Sequence, residues 1–78
     1  MLLNKLNENI IEITLIYAQL IDNNMIFVED SMLGKEKICY LAVQFENENV
    51  DANWDECGDY LEAIEEFAER ELITAFSK

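Results

Sequence analysis

Residues 54–75, WDECGDYLEAIEEFAERELITA, carry the clearest structural pattern in this sequence. At about 100° per residue, their apolar side chains fall on one broad arc, which predicts an amphipathic helix packed on the rest of the domain. The arc consists of Trp54, Cys57, Tyr60, Leu61, Ile64, Phe67, Ala68, Leu72 and Ala75. Asn53 and Glu56 form a capping-box pattern, so the helix is predicted to begin near Trp54.

The opposite side of this predicted helix is acidic. Its outer stripe consists of Asp55, Glu56, Asp59, Glu62, Glu65, Glu66 and Glu69. Arg70 is the only base in the stretch and stands four residues after Glu66, whereas Glu71 falls within the apolar arc. Like charges four residues apart cost about 0.2–0.5 kcal/mol per pair, so the stripe is retained at some cost in stability.

The first segment has a helical spacing, with a strand as the rival interpretation. Six apolar residues at alternating three- and four-residue intervals predict a helix over residues 2–21. They are Leu3, Leu6, Ile10, Ile13, Tyr17 and Leu20. The alternation of Ile11, Ile13, Leu15 and Tyr17 keeps a strand open for the same segment. In either case Asp22, Asn23 and Asn24 are predicted to close the element.

The middle of the chain resembles a β-hairpin. Residues 25–29 and 37–45 are apolar runs of the strand type, joined by a loop over 31–36 that contains Gly34. In the second run, one strand face would hold Cys39, Leu41, Val43 and Phe45. We therefore predict an α+β fold in the order α-β-β-α, in which the acidic C-terminal helix packs a small antiparallel sheet; the alternative is β-β-β-α.

Length and composition limit the functional classes. The chain has 78 residues, 17 acids and 5 bases, for a net charge of −12, and residues 1–78 are predicted to form a single domain. An apolar content of 51% is too high for a disordered tail. The charge argues against nucleic acid or an anionic membrane as a direct partner and favours a basic one. No apolar run is long enough to span a membrane, and Lys5, Glu8 and Glu12 interrupt the apolar residues that a signal peptide would need, so a cytoplasmic location is expected.

Residues that support catalysis or metal binding are scarce. There is no histidine, and Cys39 and Cys57 lie 18 residues apart, so they are predicted to be reduced core thiols. A calcium-loop spacing occurs at Asp51, Asn53, Asp55, Asp59 and Glu62. The loop pattern fails because its sixth position, which needs glycine, is Glu56. We predict a protein that is not an enzyme and has no metal or cofactor.

The negative charge is concentrated in one region. Residues 46–71 hold 11 acids and one base, a net charge of −10, against −3 for residues 1–45 and +1 for the last seven. Along the predicted helix the acids recur about every 3 Å, close to the roughly 3.4 Å per phosphate of one DNA strand. The residues predicted to bind a partner are Glu46, Glu48, Asp51, Asp55, Asp59, Glu62, Glu65, Glu66 and Glu69.

In its overall character the chain resembles the small acidic phage-encoded inhibitors of bacterial defence, the anti-CRISPR and DNA-mimic class. The resemblance implies an inhibitor that acts in the host cytoplasm and occupies the nucleic-acid-binding site of a basic protein, such as a CRISPR effector or another defence nuclease. An acidic immunity or antitoxin-type protein that neutralises a basic toxin is one alternative. The other is a self-associating domain, a homodimer formed through the apolar positions of residues 2–21.

Overall fold

The computed structural model describes the backbone of residues 2–52 and 57–77 and the side chains of residues 6–52 and 58–77. Within this part the chain forms three α-helices, α1 (Leu2–Asp22), α2 (Ser31–Glu48) and α3 (Cys57–Phe76), and no strand. α1 packs along both other helices, whereas α2 and α3 touch each other much less. The fold is therefore all-α, with α1 shared by two helix pairs.

The predicted α-β-β-α fold is wrong, and so is its β-β-β-α alternative. Residues 37–45, predicted as the second strand, and 31–36, predicted as the hairpin loop, both lie within α2. Residues 25–29, predicted as the first strand, belong to the connection between α1 and α2. In this connection the Phe27 N–H donates to the carbonyl of Phe76, at the C-terminal end of α3. The connection thus satisfies one of the carbonyls that a helix end leaves without an intrahelical donor.

α2 is helical because its start is capped and its buried residues follow a helical spacing. The carboxylate of Asp30 accepts a hydrogen bond of 2.9 Å from the Met32 N–H. The residues that α2 buries, spaced by four, three, one and three positions, are Gly34, Ile38, Leu41, Ala42 and Phe45. The predicted strand face is thereby divided: Leu41 and Phe45 are buried, whereas Cys39 and Val43 are exposed. Cys39 is thus not a core thiol, and the side chain of Cys57 lies outside the described residues.

α1 follows the helical interpretation of the first segment, and the strand alternative for that segment is wrong. The helix ends where Asp22, Asn23 and Asn24 were predicted to close it. Asn24 has a φ of 59°, the left-handed conformation that asparagine tolerates better than most residues. Its N–H donates to Ile21, and the Met25 N–H donates to Leu20. This pair of bonds is the Schellman arrangement of a helix C-terminus.

The core lies between α1 and the inner sides of α2 and α3. Ile26 of the connection joins it. Its buried apolar residues are Ile13, Ile16, Leu20, Ile26, Ile38, Leu41, Ala42, Phe45, Tyr60, Ile64, Phe67, Ala68 and Leu72. α1 and α2 also approach closely at Gly34, where an added β-carbon would overlap the Tyr17 hydroxyl and lie 2.7 Å from Tyr17 Cζ. Glycine is therefore required by packing at this point rather than by a loop.

α3 matches the predicted amphipathic helix over its described length. The members of the predicted apolar arc that are buried are Tyr60, Ile64, Phe67, Ala68 and Leu72. Leu61 and Ala75 were predicted to join them but are exposed. The predicted helix start at Trp54 and the capping box of Asn53 and Glu56 lie outside the described residues.

Candidate functional site

Five carboxylates form a continuous surface on α3, which we call the acidic face. It consists of Asp59, Glu62, Glu65, Glu66 and Glu69. All five side chains are exposed, and at about 100° per residue they lie opposite the buried side of the helix. From Asp59 to Glu69 the helix rises about 15 Å, which gives roughly one carboxylate per 3 Å. The packing of α3 therefore directs this charge to solvent.

The other residues predicted to bind a partner are placed differently. Glu46 is half-buried on α2 and accepts a hydrogen bond from Asn9. Glu48 is exposed and accepts from Gln44 in the same helix. Asp51 is exposed in the turn after α2. Asp55 lies outside the described residues. The structure thus brings five of the nine predicted residues together on one helix face.

Arg70 does little to neutralise the acidic face. Its Nε lies 3.4 Å from an Oε of Glu71, rather than pairing with Glu66 as the four-residue spacing favoured. This is the one ion pair among the described residues. An exposed pair of this kind contributes less than about 1 kcal/mol. The pair places a base beside the carboxylate of Glu71, which falls within the apolar arc.

A cleft borders the acidic face on the side of α2. It has a volume of about 270 Å³ and is lined by Phe45, Asn49, Ala63, Glu66, Phe67 and Arg70. Aromatic rings therefore lie next to the carboxylate of Glu66. This chain's own Arg70 takes up the position of a cation there, since its guanidinium carbon lies 5.8 Å from the centre of the Phe67 ring.

A buried network of hydrogen bonds joins the three helices. Asn9 of α1 donates to the Ala42 carbonyl over 3.2 Å and to a Glu46 carboxylate oxygen over 3.1 Å. Its own oxygen accepts a 2.6 Å hydrogen bond from the Tyr60 hydroxyl of α3. All buried side-chain polar atoms of the described residues have a partner. Asn9 was not among the predicted site residues; its one signal in the sequence is an amide beside the apolar stripe of the first segment.

The protonation state of Tyr60 follows from this environment. Burial raises the pKa of its hydroxyl well above the ordinary value, and the nearby carboxylates of Glu8, Glu12 and Glu46 raise it further. The phenol therefore remains a neutral hydrogen-bond donor. Its role in this arrangement is to fix α3 against α1.

Two apolar surfaces remain on the outside of the helices. Ile11, Leu15 and Ala18 are exposed on α1, as the helical reading of that segment implies. The second surface is a groove of about 470 Å³ between the N-terminal half of α2 and the end of α3, which we call the α2 groove. It is lined by Leu33, Glu36, Lys37, Tyr40, Ala75 and Phe76.

In the described part of the chain, no helix is long and apolar enough for a membrane span, and no group of three or more His, Cys, Asp or Glu side chains is arranged to hold a metal. No protein-family model, curated protein or solved structure matches this chain.

Proposed function

We propose that this protein is a binding inhibitor whose acidic face occupies the nucleic-acid-binding surface of a basic protein. The observation that carries the proposal is the set of five exposed carboxylates on one side of α3, with Arg70 directed to Glu71 instead. A surface that pairs lysines and arginines with phosphates is complementary to such a row of carboxylates. The protein acts by occupying the site and catalyses no reaction.

The composition of the acidic face supports binding over solubility alone. Lysine placed among the glutamates would keep the helix soluble and would add favourable pairs four residues apart. Instead Glu62 precedes Glu66, and Glu65 precedes Glu69, by four residues. Both pairs destabilise the helix, so the face lowers stability where a mixed surface would raise it.

The experiment uses charge reversal on and off the acidic face. The test variant carries Glu62→Lys, Glu66→Lys and Glu69→Lys. The control carries Glu8→Lys, Asp22→Lys and Glu29→Lys, all at exposed positions outside α3. Each variant changes the net charge by three times +2, from −12 to −6. Only the position of the charge differs between them.

Each protein is immobilised and used to capture partners from a lysate of the source cells. We expect the wild type and the control to retain the same basic protein and the test variant to lose it. Retention should also fall as NaCl is raised, because exposed charge pairs are screened. Equal capture by the test variant and the wild type would contradict the proposal.

A further inference from the structure

The α2 groove has the chemistry of a second interaction surface, separate from the acidic face. Its apolar members include Leu33, which is 55% exposed, and Tyr40, which is 61% exposed. Phe76 closes its far side, and the backbone of Phe27, another exposed aromatic residue, is bonded to Phe76. Exposed apolar side chains gathered around a groove mark a surface that a partner covers.

The order of residues along the groove is self-complementary. Leu33 and Tyr40 are apolar, and between them stand Glu36 and Lys37, with opposite charges. If a second α2 runs antiparallel, a twofold axis midway between positions 36 and 37 places Leu33 opposite Tyr40. The same axis places Glu36 opposite Lys37, twice. A twofold interface requires this kind of self-complementary surface.

Neither charge is already engaged in an ion pair with another described side chain. The Lys37 amine lies 5.1 Å from the centre of the Tyr40 ring, so its charge is held on the groove side of α2. Both groups are therefore placed to meet a second copy.

The groove also lies in a part of the molecule that has no excess of acidic residues. Residues 31–45 contain Lys35, Glu36 and Lys37, a net charge of +1, in a chain of net charge −12. Two copies that meet here keep their acidic faces apart from the contact. The apolar surface of α1 is less suited, because Glu8 and Asp22 flank it and no base is described there.

We propose that two copies of this chain form a dimer through the α2 groove, with their α2 helices antiparallel about an axis between Glu36 and Lys37. Leu33 of each copy packs on Tyr40 of the other, and each Glu36 pairs with Lys37 of the other. The acidic faces remain exposed on both copies. The dimer does not depend on the proposed inhibitor function, so either can fail without the other.

The test is charge reversal followed by sedimentation equilibrium, at concentrations up to about 1 mM because a small interface gives weak association. Glu36→Lys places two lysines opposite Lys37, and Lys37→Glu places two glutamates opposite Glu36. Each single variant should weaken dimerisation about tenfold or more. The double variant exchanges the two charges, and its dimer should be as stable as that of the wild type.

A mixture of the two single variants is the sharpest comparison. One then presents only lysines and the other only glutamates, so the mixture should form a heterodimer although neither variant dimerises well alone. The matched controls are Glu29→Lys and Lys35→Glu, which change the same charges outside the groove. Both should dimerise like the wild type. Because Glu36→Lys lowers the total negative charge, its loss of dimer would show local pairing rather than general repulsion.

Three results would overturn the dimer. One is a wild type that stays monomeric at the highest concentration. Another is equal dimerisation by the single variants and the wild type. The third is loss of the dimer in an Ile11→Ser, Leu15→Ser variant with retention in Leu33→Ser, Tyr40→Ser, which would place the interface on α1.

Discussion

α2 and α3 have similar lengths and bury one side each against α1, but their outer sides differ in chemistry. The outer side of α3 carries the five carboxylates of the acidic face. The outer side of α2 carries exposed apolar residues, Met32, Leu33, Tyr40 and Val43, with two lysines nearby. The same three-helix core thus supports two surfaces suited to different partners.

The contrast also explains why one helix was recognised in the sequence and the other was not. In α3 the buried side is apolar and the outer side charged, so the 3.6-residue period stands out. In α2 both sides are apolar, and an alternation of apolar residues indicates a strand when read alone. The exposed apolar residues of α2 therefore obscure its secondary structure in the sequence.

Substitutions at Leu41 and Val43 have the largest expected difference in effect. A strand would place both on one face, whereas in α2 Leu41 is 0% exposed and Val43 is 46% exposed. Leu41→Ala should lower the free energy of unfolding by about 2–5 kcal/mol, because it leaves a cavity. Val43→Ala should change it by less than about 0.5 kcal/mol. Urea denaturation measures both, and similar losses would contradict the helical assignment.

Tyr60→Phe tests how α1 holds α3. The substitution leaves the buried oxygen of Asn9 without the Tyr60 hydroxyl, so the free energy of unfolding should fall by about 1–3 kcal/mol. Tyr40→Phe is the matched control at an exposed position and should have little effect. If Tyr60→Phe left the free energy of unfolding unchanged, the hydrogen bond between Tyr60 and Asn9 would not stabilise the packing of α3 on α1.

The same tyrosine predicts a pH dependence. The pKa of Tyr60 is raised in the folded state, so its contribution is fully present below the unfolded pKa of about 10. It is lost as the pH rises above that value, because the unfolded chain then releases a proton that the folded chain keeps. The stability difference between wild type and Tyr60→Phe should therefore shrink above about pH 10. A stability difference that grows above about pH 10 would mean that folding lowers the pKa of Tyr60 rather than raising it.

Gly34→Ala tests the close contact between α1 and α2. Alanine favours a helix over glycine by about 1 kcal/mol, but its β-carbon would displace the Tyr17 ring, and overpacking costs about 1–3 kcal/mol. A net loss of about 1 kcal/mol is expected in urea denaturation. The loop predicted at 31–36 would tolerate alanine, so an increase in stability would contradict this packing.

Salt has the smallest expected effect and acts on α3. Screening of the Glu62–Glu66 and Glu65–Glu69 repulsions should raise the melting temperature by a few degrees in NaCl. A variant with Glu66→Gln and Glu69→Gln should respond less, because one member of each pair is neutral. An unchanged or lower melting temperature for the wild type would show that these repulsions do not limit stability.

Part of the fold could be predicted from residue spacing. α1 and the described part of α3 follow apolar stripes of helical period, and Asn24 adopts the left-handed conformation expected at a helix end. The wrong prediction of a hairpin where the chain forms α2 has a physical cause. The spacing of Gly34, Ile38 and Leu41 was present in the sequence, but the exposed apolar residues between them hid it.

The acidic face could be predicted because it needs only the period of one helix. Contacts between helices could not: Asn9 reaches Tyr60 across 51 positions, and no local pattern reports such a bond. Arg70 shows that even a pairing within one helix cannot be read from spacing alone. Its spacing favoured Glu66, but in the folded chain its ion pair is with Glu71.

Competition with DNA is the decisive measurement for the proposed inhibitor. The partner captured by the wild type is purified, and its binding to labelled duplex DNA is measured while this protein is added. The account predicts that the apparent Kd for DNA rises in proportion to the added protein and that no ternary complex forms. A partner that binds the acidic face and DNA at the same time would contradict it, and would favour a toxin or another basic surface as the target.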